Sequence, residues 1–272
     1  DNRTIKNYEY QIQNIKMEVN FMNGEIAQIC NIVLATKSAL KKRSRIRYKP
    51  IYYEKKATFI FFNNKKYKAK SVEEWFDYCI DRGLQNIKFL IPLPINDSDF
   101  LNFTNISQAS IVCFFDNKLV TYFTPKWEDY NNEWHIIYTE HKWELPLKSK
   151  PKFYDNTENF KDVLNRIAIL ADKINFPNFG NIFRKAIDIL NGEKIENIQK
   201  TFYGLYFSEL PKINKHLFYA SDISDVFGGM GSWNDSPPYY AHEKGLEIEY
   251  DSLTEELLTQ IRLALLYSVN EW

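Results

Sequence analysis

The C-terminal stretch SLTEELLTQIRLALLYSVNEW, residues 252–272, constrains the fold more than any other part of the sequence. Leu257, Leu258, Ile261, Leu263, Ala264, Leu265, Leu266 and Val269 cover more than one face of an α-helix. A helix apolar nearly all round must be buried on most sides. Its longest unbroken apolar run is far short of the roughly 20 residues that cross a bilayer, so the cover has to be protein. Ser252 with Glu255 three residues on predicts a capping box at its start.

Two amphipathic helices upstream are candidates for that cover. Asp155 and Glu158 open one whose apolar positions are Phe160, Val163, Leu164, Ile167, Leu170, Ala171 and Ile174. The next begins at Pro177, repeats the pattern through Phe179, Ile182, Phe183, Ala186, Ile187 and Leu190, and stops at Gly192. The short connection predicts an antiparallel pair. A weaker helix is expected from about Lys194.

Residues 1–150 read differently. GEIAQICNIVLATKSALKKR carries an apolar stripe at Ile26, Ile29, Cys30, Val33 and Leu34, with Lys41, Lys42 and Arg43 complementing the dipole at its end. KATFIFFNNKKYKAK predicts a strand turning through Asn63-Asn64 into a hairpin. Ser71, Glu74 and Gly83 bracket a second helix. Strands are expected at 87–91, 111–115, 119–123 and 134–138, with Asp116-Asn117 as a tight turn. The chain is thus expected to be α+β. An N-terminal unit (1–150) would hold helices and an antiparallel sheet, and a mainly helical unit (151–272) would surround the buried C-terminal helix.

Charge separates the same halves. Residues 1–150 carry 23 Lys/Arg against 17 Asp/Glu, and residues 151–272 carry 12 against 18. The two halves therefore offer surfaces suited to different partners, or to each other in a homodimer. Cys30, Cys79 and Cys113 are widely spaced among apolar neighbours, which reads as reduced, buried thiols of a cytoplasmic protein. No two have metal-ligand spacing. The opening DNRTIKNYEY has no apolar stretch behind a basic start, so no secretory signal is expected, and the absent Met leaves an upstream segment open.

Within VFGGMGSWNDSPPYYAH, residues 226–242, three of the nine glycines fall in four positions. Gly228, Gly229 and Gly231 permit positive φ or close backbone approach. Three readings follow. The loop could form an anion-binding concavity, although Asp222, Asp225 and Asp235 bracket it rather than cations. It could be a structural corner, with Met230 and Trp233 plugging the core while Asn234 and Asp235 tie down backbone amides. Or Trp233, Tyr239 and Tyr240 could form an exposed recognition surface with Asn234 and Asp235.

The motif DVFGGMGSWND lies a short way before the terminal helix ending LYSVNEW. Together with LNRIAILADKINFPNFGNIFRKAIDIL, it resembles a group of small bacterial proteins regarded as immunity proteins of polymorphic toxin systems. The resemblance covers roughly residues 155–272, and Gly228 to Asp235 is its most specific part. It implies a cytoplasmic protein that binds and neutralises a cognate protein toxin, with no catalytic residue, cofactor or metal. Residues 1–150 lie outside it.

Two rival readings stay open. Residues 41–70 hold twelve basic residues and one acid, interleaved with Tyr48, Tyr52, Tyr53, Phe59, Phe61, Phe62 and Tyr67. That pattern suits single-stranded nucleic acid, but strand alternation favours a solvated sheet face with its rings turned inward. The other rival is an enzyme site around Asp225, Asp235 and His242. His135 and His141 flank one strand, about 20 Å apart at strand spacing, too far to share an ion. Ser232 has no identifiable base in sequence.

Overall fold

Alternating apolar residues in the first half and helical stripes in the second give seven helices and one six-stranded sheet among the described residues, an α+β fold. The computed structural model describes residues 24–51, 54–63, 67–93, 108–130, 133–143, 150–193 and 209–272. The helix expected from Lys194 and the rings of Tyr52 and Tyr53 lie outside these residues.

Helix α1 (Gly24–Lys42) is buried at every residue from Ala27 to Ala39, well beyond the single stripe expected. Strand β1 (Glu54–Ile60) and the two-residue β2 (Lys68–Ala69) form the hairpin. Helix α2 (Val72–Asp81) is capped by Ser71, whose hydroxyl accepts from the Glu74 N–H, and ends before Gly83 at φ +85°. Strands β3 (Leu84–Leu90), β4 (Ser110–Phe115), β5 (Val120–Tyr130) and β6 (Glu133–Lys142) form an antiparallel meander. The strand order is β2-β1-β6-β5-β4-β3. The sheet is mixed rather than antiparallel, because β1 lies parallel to β6 with Phe59 opposite Tyr138.

Side chains from α1 and α2 cover one sheet face. Phe59 stacks between Trp75 of α2 (5.0 Å) and Tyr138 of β6 (4.9 Å), with Phe123 edge-on to Phe59 and Trp75. The Tyr138 hydroxyl donates to Gln28 of α1 at 2.9 Å. All three cysteines are buried thiols.

The second half holds α3 (Thr157–Lys173), α4 (Pro177–Leu190), α5 (Lys212–Ser224), the short α6 (Pro237–Glu243) and α7 (Glu247–Asn270). Helices α3 and α4 pack together, and α7 packs against α3 and α5. The capping box expected at Ser252 and Glu255 is not at the helix start. Helix α7 begins five residues earlier, where the Leu246 N–H closes the preceding turn on the Ala241 carbonyl and Glu247 and Glu249 supply acids to the first turn.

The halves meet where α7 ends. The Asn270 side chain accepts from the Phe89 N–H (2.8 Å) and donates to the Phe89 carbonyl (2.7 Å), pairing the free edge of β3. Lys88 pairs with Glu271 at 2.6 Å, and Arg262 donates to the Pro92 carbonyl at 2.8 Å. From α1, the Lys37 ammonium donates to the Asn270 carbonyl. Burial, then the charges of Lys88 and Lys41, pull its pKa down to about 7. Buried side chains run as one continuous cluster through both halves.

Two predictions follow from buried charge. The Arg82 guanidinium pairs with the fully buried Glu140 carboxylate at 2.7 Å and lies 4.7 Å from the Phe115 ring centre. Arg82→Met should cost about 3–5 kcal/mol in urea unfolding by stranding Glu140, and adding Glu140→Met should restore much of the loss. Lys37 binds fewer protons folded than unfolded between pH about 7 and its ordinary value near 10.4. Stability therefore rises with pH across that window, and the cost of the buried charge is fully present below it. Lys37→Met should stabilise the chain at pH 6, and the difference from the parent should shrink in melting curves taken toward pH 10.

Candidate functional site

Between α5 and α6 the chain turns through residues 225–236, and the corner is built around one indole. Trp233 is fully buried. Its ring stacks on Tyr250 of α7 (5.2 Å) and meets Phe179 and Phe183 of α4 edge-on at 5.3 and 5.4 Å. Its polar atoms are also satisfied. The indole N–H donates to Thr254 Oγ1 at 2.9 Å, its backbone N–H to the Val226 carbonyl at 2.9 Å, and its carbonyl accepts from the Tyr250 hydroxyl at 2.6 Å. Burial pushes the Tyr250 pKa up to about 12, so that hydroxyl stays a donor.

Above this plug the loop is tied by its own side chains. Asn234 Oδ1 accepts from the Gly228 N–H (3.0 Å) and the Ser232 hydroxyl (2.8 Å), while Asp235 Oδ2 accepts from the Gly231 N–H (2.8 Å). These are the amide ties expected of Asn234 and Asp235 in the structural-corner reading. The Gly228 and Gly231 amides are thus turned to a carboxamide and a carboxylate oxygen of the protein itself.

Three expectations are corrected here. Trp233 is not part of an exposed recognition surface, because α4 and α7 enclose its ring. Met230 does not plug the core; it is 98% exposed at the loop tip. Of the three glycines only Gly231, at φ +83°, holds a left-handed backbone. A Cβ at Gly229 would meet nothing within 4 Å, and one at Gly228 would make only an ordinary contact with Ser232.

Tyr239 and Tyr240 do reach the surface, 62% and 43% exposed. Tyr240 leans edge-on against Phe176 at 5.2 Å, and Tyr239 rests on Tyr240. Exposed acids surround them in sequence: Asp235, Glu243, Glu247, Asp251 and Glu255. Ile248, at the start of α7, is 86% exposed.

The three residues of the enzyme reading have separate partners. Asp235 holds the Gly231 amide, and His242 pairs with Glu247 at 3.0 Å, a contact that raises its pKa. The half-buried Asp225 places its charge near Arg262 of α7. Among the described residues no group of three or more His, Cys, Asp and Glu is placed to hold a metal ion. His141 bonds Thr124 at 3.0 Å and stacks on Tyr122, whereas His135 sits against Tyr130.

The basic stretch 41–70 also differs from a base-stacking surface. Phe59 and Phe61 are fully buried, and the Tyr48 hydroxyl is spent on Glu54 at 2.5 Å. Lys55 and Lys56 point outward between them. The inward-ring alternative describes this strand. No family model, curated protein or solved structure matches the chain. Among the described residues no helix is long and apolar enough to cross a membrane.

The corner makes distinct demands on its residues. Trp233→Ala should cost about 3–5 kcal/mol in chemical denaturation. Gly231→Ala should cost about 1–2 kcal/mol through left-handed strain. Gly229→Ala should be neutral or stabilise by up to about 1 kcal/mol, because its backbone suits any residue and its surroundings are open.

Proposed function

We propose that this chain is an immunity protein, which binds a cognate bacterial protein toxin and neutralises it by covering the toxin's working surface. The observation that carries the reading is Met230. A large apolar side chain stands 98% exposed on a loop whose backbone is fixed by Asn234 and Asp235 and anchored through Trp233. Holding an apolar anchor in place before binding lowers the ordering cost of association. Tyr239 and Tyr240 extend the apolar area, and aromatic anchors commonly dominate protein interfaces.

Charge supports the same reading. The second half has 18 acids against 12 Lys/Arg, and Glu243, Asp251 and Glu255 stand exposed near the tip in sequence. An acidic rim raises the association rate of a basic partner and leaves the apolar centre to set the lifetime of the complex. Many toxins that act on nucleic acids are basic. In this reading Asn234 and Asp235 position the tip, while Met230, Tyr239 and Tyr240 touch the toxin. The resemblance of Gly228 to Asp235 to the immunity group points the same way, and a role in neutralising a toxin inside the producing cell would act in the cytoplasm.

Co-expression with the product of the neighbouring gene, the expected toxin, tests the proposal. The parent chain should protect the cell and co-purify with the toxin. Met230→Asp and Tyr239→Ala should each weaken the complex roughly 30-fold or more in titration calorimetry, corresponding to about 2 kcal/mol, without changing the melting temperature. Failure of the intact chain to bind or protect would overturn the reading.

A further inference from the structure

Helix α1 ends with a cation at a backbone position that normally takes glycine. The Ser44 N–H donates to the Ala39 carbonyl at 3.0 Å and the Arg43 N–H to the Leu40 carbonyl at 3.3 Å. This paired closure requires a left-handed residue, and glycine is its usual occupant. Here the residue is Arg43, at φ +49°. A side chain there is strained.

Beyond the turn, exposure alternates. Arg45, Arg47 and Lys49 are exposed, Ile46 is buried and Tyr48 half-buried. Three contacts pin the segment: Ile46 in the core, the Tyr48 hydroxyl on Glu54 at 2.5 Å, and the Asn31 side-chain amide on the Lys49 carbonyl at 2.8 Å. Alternate residues of an extended chain repeat at about 6.6 Å. Arg45, Arg47 and Lys49 therefore alternate with inward residues on a backbone held at three points, with Arg43 at the turn just before them.

Lys42, Lys55, Lys126, Lys161, Arg166, Lys173, Arg184 and Lys185 each pair with an acid. Arg43, Arg45, Arg47 and Lys49 have no ion pair among the described residues. No large apolar side chain is exposed between residues 41 and 51. A protein interface centred here would lack the apolar anchor that such interfaces depend on. Binding to a phosphodiester backbone needs only charge, and arginine's planar fork suits phosphate oxygens.

We infer that Arg43, Arg45, Arg47 and Lys49 form a docking strip for the phosphate backbone of a nucleic acid, which they hold without reading its sequence. The one ring within the strip, Tyr48, is half-buried with its hydroxyl on Glu54, so base identity has no reader there. The inference uses none of the corner's residues and stands or falls separately from the immunity reading.

Fluorescence anisotropy of the full chain with a labelled mixed-sequence duplex is the test. Four phosphate contacts give a log–log salt slope of at most about −3.6, so affinity should fall on the order of 100-fold between about 50 and about 200 mM NaCl. Duplexes of different sequence should bind alike. Arg43→Gly is the most telling variant: its melting temperature should hold or rise as the strain is relieved, while the slope loses about one. Arg45→Glu with Arg47→Glu should abolish binding at low salt, whereas Lys152→Glu, an exposed cation outside the strip, should leave it intact. The inference is overturned if the parent does not bind at low salt, or if the double variant binds as the parent does. It is also overturned if the strip variants alter only self-association in sedimentation, since the strip would then be meeting an acidic protein surface.

Discussion

The last turn of α7 has to satisfy three elements at once, and the rest of the structure depends on how it does so. Asn270 supplies both a donor and an acceptor to Phe89, and so acts as a one-residue strand against the open side of β3. Its own carbonyl takes the Lys37 ammonium of α1. Asn214 of α5 donates to the Ser268 and Glu271 carbonyls at the same helix end. Unpaired strand edges invite association with other chains. This edge is filled from within, and the opposite one is only the two residues of β2. A helix apolar nearly all round thus has its cover, and its polar end holds sheet and helices in register.

Much of this was legible where a local rule decides the outcome. Ser71, Glu74 and Gly83 delimit α2 because capping and a left-handed terminator act within one turn. Phe160 through Ile174 marks α3 because its stripe faces a single layer. Helix α5 was missed because Asn214, Ser221, Asp222 and Ser224 interrupt its apolar pattern, although all four are buried. The Ser221 and Ser224 hydroxyls turn back onto the Leu217 and Ala220 carbonyls of the helix itself, whereas Asn214 is answered at a distance, by the Ser268 and Glu271 carbonyls at the end of α7. No window along the chain contains that information. The start of α7 was misplaced for a related reason, since the turn that closes on Ala241 is set by α6.

The corner shows the same division. That Asn234 and Asp235 would bind nearby amides could be read from short-range geometry. Which of Met230 and Trp233 would enter the core could not, because both are large and apolar and lie three residues apart. The answer rests on Phe179, Phe183, Tyr250 and Thr254, contributed by two other helices. The outcome leaves a chain with two surfaces of unlike chemistry, one apolar-tipped and acid-rimmed, the other a row of cations with no apolar centre.

The parallel placement of β1 also sets an order of events for a newly made chain. Phe59 meets Tyr138, so the hairpin of β1 and β2 leaves the ribosome long before the strand it must join. Strands β3 to β6 pair with sequence neighbours and can zip together at little loop-closure cost, whereas β1 must wait and then close a long loop. Until it does, Phe59 and Phe61 have no sheet to cover them, and the outer side of β6 stands unfilled. The nascent protein is therefore most exposed to mispairing until β6 emerges, about halfway through synthesis, at the seam where β1 and β6 must find each other.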